Sequence, residues 1–189
     1  MGPRYSAALA VASELHGSLV RKGTSVPYIA HLLSVSALVL EAGGDEDAAI
    51  AALLHDAVED QGGRPMLERI RARFGDAVAG IVEACTDAEV TPKPPWRQRK
   101  EAYLAAIPHK SAPALLVSIA DKVHNAGAIL RDYTQLGEAV WTRFAGGREG
   151  TLWYYRSLAD AFRGRAPAPL WELLEERVRA IEARAAAAG

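Results

Sequence analysis

Apolar residues recur along this chain at the three- and four-residue spacing of amphipathic α-helices, and the alternation typical of β-strands is hard to find. Glycine and proline fall mainly between the periodic segments, where they are expected to end one helix or open the next. The pattern therefore predicts an all-α fold. We expect a single compact helical domain over residues 1–189, with a core at about 4–163 and a C-terminal helix at about 168–187.

The predicted helices cover about 4–20, 27–42, 45–60, 65–74, 76–86, 96–107, 112–131, 136–144, 148–162 and 168–187. Pro27 suits the first turn of its helix, and the Asp45 side chain can cap the next one. The polar, proline-containing stretch 87–95 is predicted to be a loop.

Charge and composition exclude several classes of partner. Lys and Arg number 22 against 23 Asp and Glu, so the basic excess that a large nucleic-acid surface needs is missing. Cys85 is the single cysteine, which excludes an internal disulfide and a thiolate-rich zinc site. The N-terminus has no apolar signal core and no stretch is long enough to span a bilayer. We therefore expect a cytoplasmic protein without nucleic-acid or membrane partners, whose oligomeric state the sequence leaves open.

Ionisable residues appear abruptly at the end of the most apolar helix. Residues 48–54 are apolar on every side, as expected for a helix inside the core. His55, Asp56, Glu59 and Asp60 follow, and on a continuous helix they would lie within about 140° of one another. Carboxylates this close repel one another unless a cation compensates for them. The segment therefore predicts a bound metal ion.

Two further groups fit the same site. His31 lies in the first turns of its helix, and Asp121 interrupts an apolar run with Asn125 one helical turn later. Taken singly, His31 would be an ordinary polar residue and Asp121 would pair with a neighbour such as Lys122. Together with His55 and Asp56 they supply two imidazoles and two carboxylates, which suit a divalent ion with open positions for water and substrate.

Three motifs carry a resemblance to a known family. They are RKG at 21–23 followed by PYIAH at 27–31, ALLHDAVED at 52–60, and ADKVHN at 120–125, with FGDAV at 74–78 in support. The chain resembles the HD superfamily of metal-dependent phosphohydrolases, and more narrowly the hydrolase domain of RelA/SpoT-type proteins and the stand-alone small alarmone hydrolases. The resemblance spans about residues 4–163 and implies an HD-domain helical bundle.

The resemblance also implies roles for individual residues. The metal ligands would be His31, His55, Asp56 and Asp121, and the metal is usually manganese. Glu59 and Asp60 would position or activate the attacking water. Arg21 would stack on the base, Lys22 would lie near phosphate, and Asn125 would contact the ribose or a phosphate. Tyr154 could line the nucleotide cleft or pack in the core. The implied reaction removes the 3′-pyrophosphate from (p)ppGpp and returns GDP or GTP.

Several alternatives stay open at this point. The substrate could be another nucleotide, such as a ppApp-type alarmone or a nucleoside monophosphate, or the chain could sense a nucleotide through its metal domain without turning it over. The basic tract 96–100 could reach a phosphate chain or be a solvated helix start, and the role of the insert 87–99 is undetermined. His124 could support the metal or be hydrogen-bonded in the core. We expect no alarmone synthesis, because 189 residues leave no room for a synthetase domain.

Overall fold

The computed structural model describes residues 1–86 and 94–188, and this part of the chain is all-α, as predicted. The α-helices are α1 (Pro3–His16), α2 (Ile29–Glu41), α3 (Glu46–Leu54), α4 (Ala57–Gln61), α5 (Gly63–Phe74), α6 (Asp76–Cys85), α7 (Trp96–Ala106), α8 (Ala112–Leu136), α9 (Gly147–Phe162) and α10 (Ala168–Ala187). Two 3₁₀-helices, Ile107–His109 and Gly137–Arg143, follow α7 and α8. Of the predicted loop 87–95, residues 87–93 lie outside the described part.

Helix α3 is the central element of the core. Residues 48–54 are all buried, and the helix packs against α1, α2, α6 and α8. Its start is well defined because the Asp45 side chain accepts a hydrogen bond from the Ala48 N–H at 2.8 Å. Glu46 and Asp47 in the first turn add negative charge where the helix dipole is positive. The core position that the sequence predicts for this helix is confirmed.

The prediction of one continuous helix over 45–60 is wrong at its C-terminal end. Helix α3 ends at Leu54, α4 begins at Ala57, and His55 and Asp56 form the joint between them. Asp56 has φ −93° and ψ −7°, in the sparsely populated bridge region where active-site residues are often found. The His55 ring also hydrogen-bonds to the Ala52 carbonyl at 2.8 Å, a side-chain bond that competes with regular helix geometry.

Three other predicted boundaries differ from the structure. Helix α1 ends at His16, four residues early, and residues 19–28 fold back through backbone bonds between Leu19 and Tyr28 and between Arg21 and Val26. Helix α8 runs on to Leu136, beyond the predicted end at 131. The predicted helix 136–144 is a 3₁₀-helix, Gly137–Arg143, whose first residue is a glycine with positive φ.

The long helix α8 carries the second half of the site. It packs against α2, α3 and α6 on one side and against the C-terminal helix α10 on the other. Helix α10 is held to α9 by Arg156, which bonds Glu175 at 2.7 Å and Glu182 at 2.6 Å. Within the described residues, no helix is both long and apolar enough to cross a membrane.

Candidate metal centre

The four predicted ligands converge from three parts of the fold. His31 comes from α2, His55 and Asp56 from the joint between α3 and α4, and Asp121 from the middle of α8. The Nε2 atom of His31 lies 3.4 Å from Asp56 Oδ2 and 3.3 Å from Asp121 Oδ1. The Nε2 atom of His55 lies 3.2 Å from Asp56 Oδ2 and 3.6 Å from Asp121 Oδ1. Four donor atoms therefore face a common point.

The imidazoles are buried and oriented for metal binding. His55 is 3% exposed, and its Nε2 atom is buried without a hydrogen-bond partner among the described residues. With a hydrogen on Nδ1 donated to the Ala52 carbonyl, the neutral His55 ring carries its lone pair at Nε2, where the carboxylates converge. His31 Nδ1 lies 2.8 Å from His124 Nδ1, and a hydrogen on His31 Nδ1 leaves its Nε2 lone pair directed at the same point.

His124 can serve as the acceptor in that bond because it is neutral. Burial, His31 and Arg21 lower the pKa of His124 to about 3. A neutral imidazole carries one nitrogen that accepts a hydrogen bond, whereas the charged ring only donates. Of the two alternatives left open for His124, the structure therefore supports contact with a candidate metal ligand.

The two carboxylates are held in their charged form. Burial disfavours their charge, but for Asp56 the two imidazoles outweigh burial and hold its pKa well below its usual range. For Asp121, Lys122 and the imidazoles act in the same direction on its pKa. The same carboxylates raise the pKa of His55 well above its usual value against the effect of burial. A divalent cation among these groups would take the place of that proton.

The neighbours of the carboxylates fix which oxygen faces the cluster. Tyr28 donates its hydroxyl hydrogen to Asp56 Oδ2 at 2.7 Å. Asn125 donates to Asp121 Oδ1, and Lys122 donates to Asp121 Oδ2 at 2.7 Å. His31, His55 and Asp56 offer ligand atoms within 4.8 Å of one another, and Asp121 Oδ1 lies 3.3 Å from His31 Nε2. Two nitrogen and two oxygen donors suit a borderline-to-hard divalent ion.

A cavity of about 820 Å³ opens directly beside the cluster. His31, His55, Asp56, Glu59 and Asp121 line one side of it. The basic residues in its wall are Arg21, Lys22, Arg99, Lys100, Lys122, Arg131 and Arg143. This juxtaposition of a cation site and a basic wall fits a ligand with several negative charges.

All four predicted substrate-binding residues lie in the wall of this cavity. Arg21, Lys22, Asn125 and Tyr154 all line it, and the Arg21 guanidinium donates to the Asn125 side-chain oxygen. Tyr154 is 5% exposed and packs against the Trp96 ring at 6.2 Å, so it is both a core residue and a cavity residue. Trp96, Arg99 and Lys100 of the basic tract also line the cavity.

The two predicted catalytic carboxylates have different surroundings. Glu59 is half-buried and lines the cavity. Asp60 is exposed and lies outside the cavity lining. Both stand in the first turn of α4, so the break at 55–56 sets their direction.

Sequence analysis missed three residues that support the site. Tyr28 had a sequence signal, since it lies in the same motif as His31, and its ring stacks on His16 at 5.2 Å. Lys122 was considered only as an ion-pair partner. Arg143 had no signal, because its position against the loop of Arg21 depends on the tertiary fold.

The comparison with protein families decides the assignment. The sequence profile of the family described as "HD domain" matches residues 8–152. The chain belongs to the HD-domain family. Membership implies a divalent metal, and the cluster at His31, His55 and Asp56 supplies a site for it.

Relatives of this HD-domain protein include named hydrolases. It is 39% identical over 134 residues to guanosine-3′,5′-bis(diphosphate) 3′-pyrophosphohydrolase MESH1 of Xenopus tropicalis, over 69% of this chain and 70% of the relative. MESH1 of Homo sapiens is 36% identical over 118 residues, 61% of each chain. A solved structure described as a metazoan ortholog of SpoT that hydrolyzes ppGpp matches with TM-score 0.78 and 28% identity, over 95% of this chain and 96% of that one.

Proposed function

We propose that this chain is a manganese-dependent hydrolase that removes the 3′-pyrophosphate of (p)ppGpp, giving GDP or GTP and pyrophosphate. The observation that carries the proposal is the convergence of four metal-ligand atoms, from three buried residues and the partly buried Asp56, beside a cavity with a basic wall. The names of the curated relatives and of the similar solved structure supply the nucleotide.

In this proposal His31, His55, Asp56 and Asp121 hold the ion. A bound divalent ion lowers the pKa of a water molecule and polarises a phosphoryl oxygen. The position of the buried His55 Nε2 atom supports the fit, because it lies 3.2 Å from Asp56 Oδ2 and faces the point where the carboxylates converge. Manganese suits two imidazoles and two carboxylates, and its open coordination positions leave room for substrate.

Glu59 acts as the general base. Its carboxylate lines the cavity next to the ligand cluster and accepts a proton from the attacking water. The water oxygen forms a bond to phosphorus, and the bond from phosphorus to the ribose 3′ oxygen breaks. We assign Asp60 a positioning role, since its exposed side chain stands beside Glu59 in the first turn of α4.

The basic wall binds the rest of the nucleotide. Arg21 is held by Asn125 and lies 5.6 Å from the Tyr28 ring centre, so its planar guanidinium is preorganised for stacking on the base. Lys22 supplies a point charge for a phosphate, and Asn125 contacts the ribose or a phosphate. Tyr154 closes the cleft on the α9 side.

The test is to incubate the purified protein with Mn²⁺ and ppGpp and to separate the products by ion-exchange chromatography. Asp121→Ala, which removes a ligand, serves as the blank. GDP and pyrophosphate that are absent in the blank are the expected result. Unchanged ppGpp with hydrolysis of ppApp or a nucleoside monophosphate would overturn the named substrate. Binding of every nucleotide without turnover would overturn the enzyme assignment.

A further inference from the structure

Lys122 has an unusual position beside the metal ligands. It follows Asp121 directly in α8, and adjacent residues on a helix point about 100° apart. Its ammonium nevertheless reaches back to Asp121 Oδ2 at 2.7 Å, while Oδ1 of the same carboxylate faces His31 and His55. The Lys122 side chain is 14% exposed and lines the cavity. The Lys122 ammonium therefore contacts one oxygen of the Asp121 carboxylate, while the other oxygen faces the candidate metal position.

The contacts of this ammonium leave donor capacity toward the cavity. An ammonium has three N–H groups. In the described part of the chain one is bonded to Asp121, and the face of the buried Tyr103 ring lies 4.7 Å from Nζ. The Tyr103 ring stabilises the Lys122 charge through a cation–π contact. Because Lys122 lines the cavity, the remaining donor can reach a ligand there.

The charge balance of the metal centre indicates what the Lys122 donor could stabilise. Two ligand carboxylates cancel the charge of a divalent ion, and the two imidazoles add none when they act as ligands. The phosphoryl group under attack gains negative charge on its non-bridging oxygens, and fixed donors aimed at such oxygens stabilise the transition state. Lys122 is a cation in the cavity wall that directly contacts a candidate ligand.

We propose that Lys122 is a further catalytic residue, whose N–H donates to a non-bridging oxygen of the phosphoryl group under attack. The inference rests on the proposed function. Water forms its bond to phosphorus and gives its proton to Glu59. The bond from phosphorus to the ribose 3′ oxygen breaks, and its electron pair leaves on that oxygen, which takes a proton from solvent. Lys122 keeps its own proton throughout.

The chain offers a matched control in Lys110. Its ammonium lies 4.2 Å from the centre of the same Tyr103 ring and donates to Ser118 Oγ at 2.9 Å, but Lys110 is outside the cavity lining. Lys122→Met and Lys110→Met therefore remove the same charge from two positions next to one aromatic ring. Lys122→Arg restores a charged donor of different shape.

We expect Lys122→Met to lower kcat about 100-fold, as removal of one such donor does, with KM within about threefold and the bound metal per chain unchanged. Lys122→Arg should recover at least about tenfold of kcat, and Lys110→Met should stay within about threefold of wild type. Loss of bound metal in parallel with kcat would overturn the proposal, because Lys122 would then act only by holding Asp121. Equal losses in both methionine variants would overturn it as well.

A second measurement uses the unmodified protein with Mn²⁺. Acetic anhydride labels lysines, and peptide mass spectrometry reports the labelling of Lys122 and Lys110 with and without inorganic pyrophosphate. Pyrophosphate should protect Lys122 and leave Lys110 unchanged. Lys122 that labels to the same extent with and without pyrophosphate contradicts a donor directed into the cavity. Wild-type turnover of ppGpp tests the proposed function separately from this result.

Discussion

The loop that carries Arg21 and Lys22 offers a sharp test of how the cavity is built. Gly23 has φ +72°, and an added Cβ would lie 2.6 Å from Arg143 Nε and 2.8 Å from its Cδ. Arg143 Nη1 in turn bonds Asp132 Oδ2 at 2.7 Å. Gly23→Ala must therefore strain the loop and displace Arg143, which also lines the cavity.

A second glycine separates these two effects. Gly43 has φ +84°, and an added Cβ there would have no heavy atom within 4 Å. A left-handed backbone costs alanine about 1–2 kcal/mol at either position. Only Gly23→Ala also loses the partly buried Arg143–Asp132 pair, worth about 0.5–1 kcal/mol after solvent screening. The free energy of unfolding should therefore fall by about 0.5–1 kcal/mol more in Gly23→Ala than in Gly43→Ala.

Chemical denaturation and steady-state kinetics of the Gly23→Ala and Gly43→Ala variants test this prediction. The unfolding midpoint should fall in both variants, and KM for ppGpp should rise several-fold only in Gly23→Ala, because Arg21, Lys22 and Arg143 belong to the same wall. The reasoning is refuted if Gly43→Ala raises KM as much, or if the two variants lose the same stability.

Four further predictions concern the metal centre. Asp121→Ala should abolish both metal binding and turnover, and metal retained at wild-type stoichiometry by elemental analysis would contradict the ligand assignment. Glu59→Gln should keep the metal but lower kcat about 100- to 1,000-fold, since general-base catalysis supplies about that much, and retained turnover would count against the base. The metal-free protein holds a proton on His55 because the pKa of this residue is raised, and a metal ion must displace that proton. Metal affinity should therefore rise with pH up to the pKa of His55. Calorimetry in two buffers should show proton release on metal binding, and no release at pH 7 would contradict this role of His55. Tyr28→Phe, which removes the donor to Asp56, should weaken metal affinity about tenfold, and unchanged affinity in a metal titration would argue that this bond has no part in holding the ligand.

The stability of the metal-free protein should change with pH in the opposite direction to the metal affinity. A group with a raised pKa in the folded state stabilises the fold below its unfolded pKa, and this contribution is lost as pH rises through the folded pKa. His55 should therefore stabilise the metal-free protein less as the solution becomes alkaline, whereas the metal-bound protein gains affinity over the same change. Thermal unfolding with and without Mn²⁺ across pH would separate the two trends.

The chemistry of the site could be read from the sequence because each candidate ligand interrupts an apolar context. Asp121 stands inside the apolar run of α8, and His55 and Asp56 follow seven apolar residues. Such placements are costly without a compensating partner, so the pattern points to one. The positions of Arg143 and Lys122 could not be predicted this way. Arg143 approaches Gly23 across 120 residues of chain, and the direction of the Lys122 side chain depends on Asp121 and Tyr103.

The break between α3 and α4 is where the sequence argument failed and where the site depends most on the fold. On a regular helix His55 and Asp56 would point about 100° apart, which would carry their side chains away from a common ion. At the break, His55 Nε2 and Asp56 Oδ2 lie 3.2 Å apart, and Glu59 in the first turn of α4 lines the cavity. At this joint the His55 ring hydrogen-bonds to the Ala52 carbonyl at 2.8 Å. That bond orients His55 as a candidate metal ligand, so two adjacent residues can serve one ion.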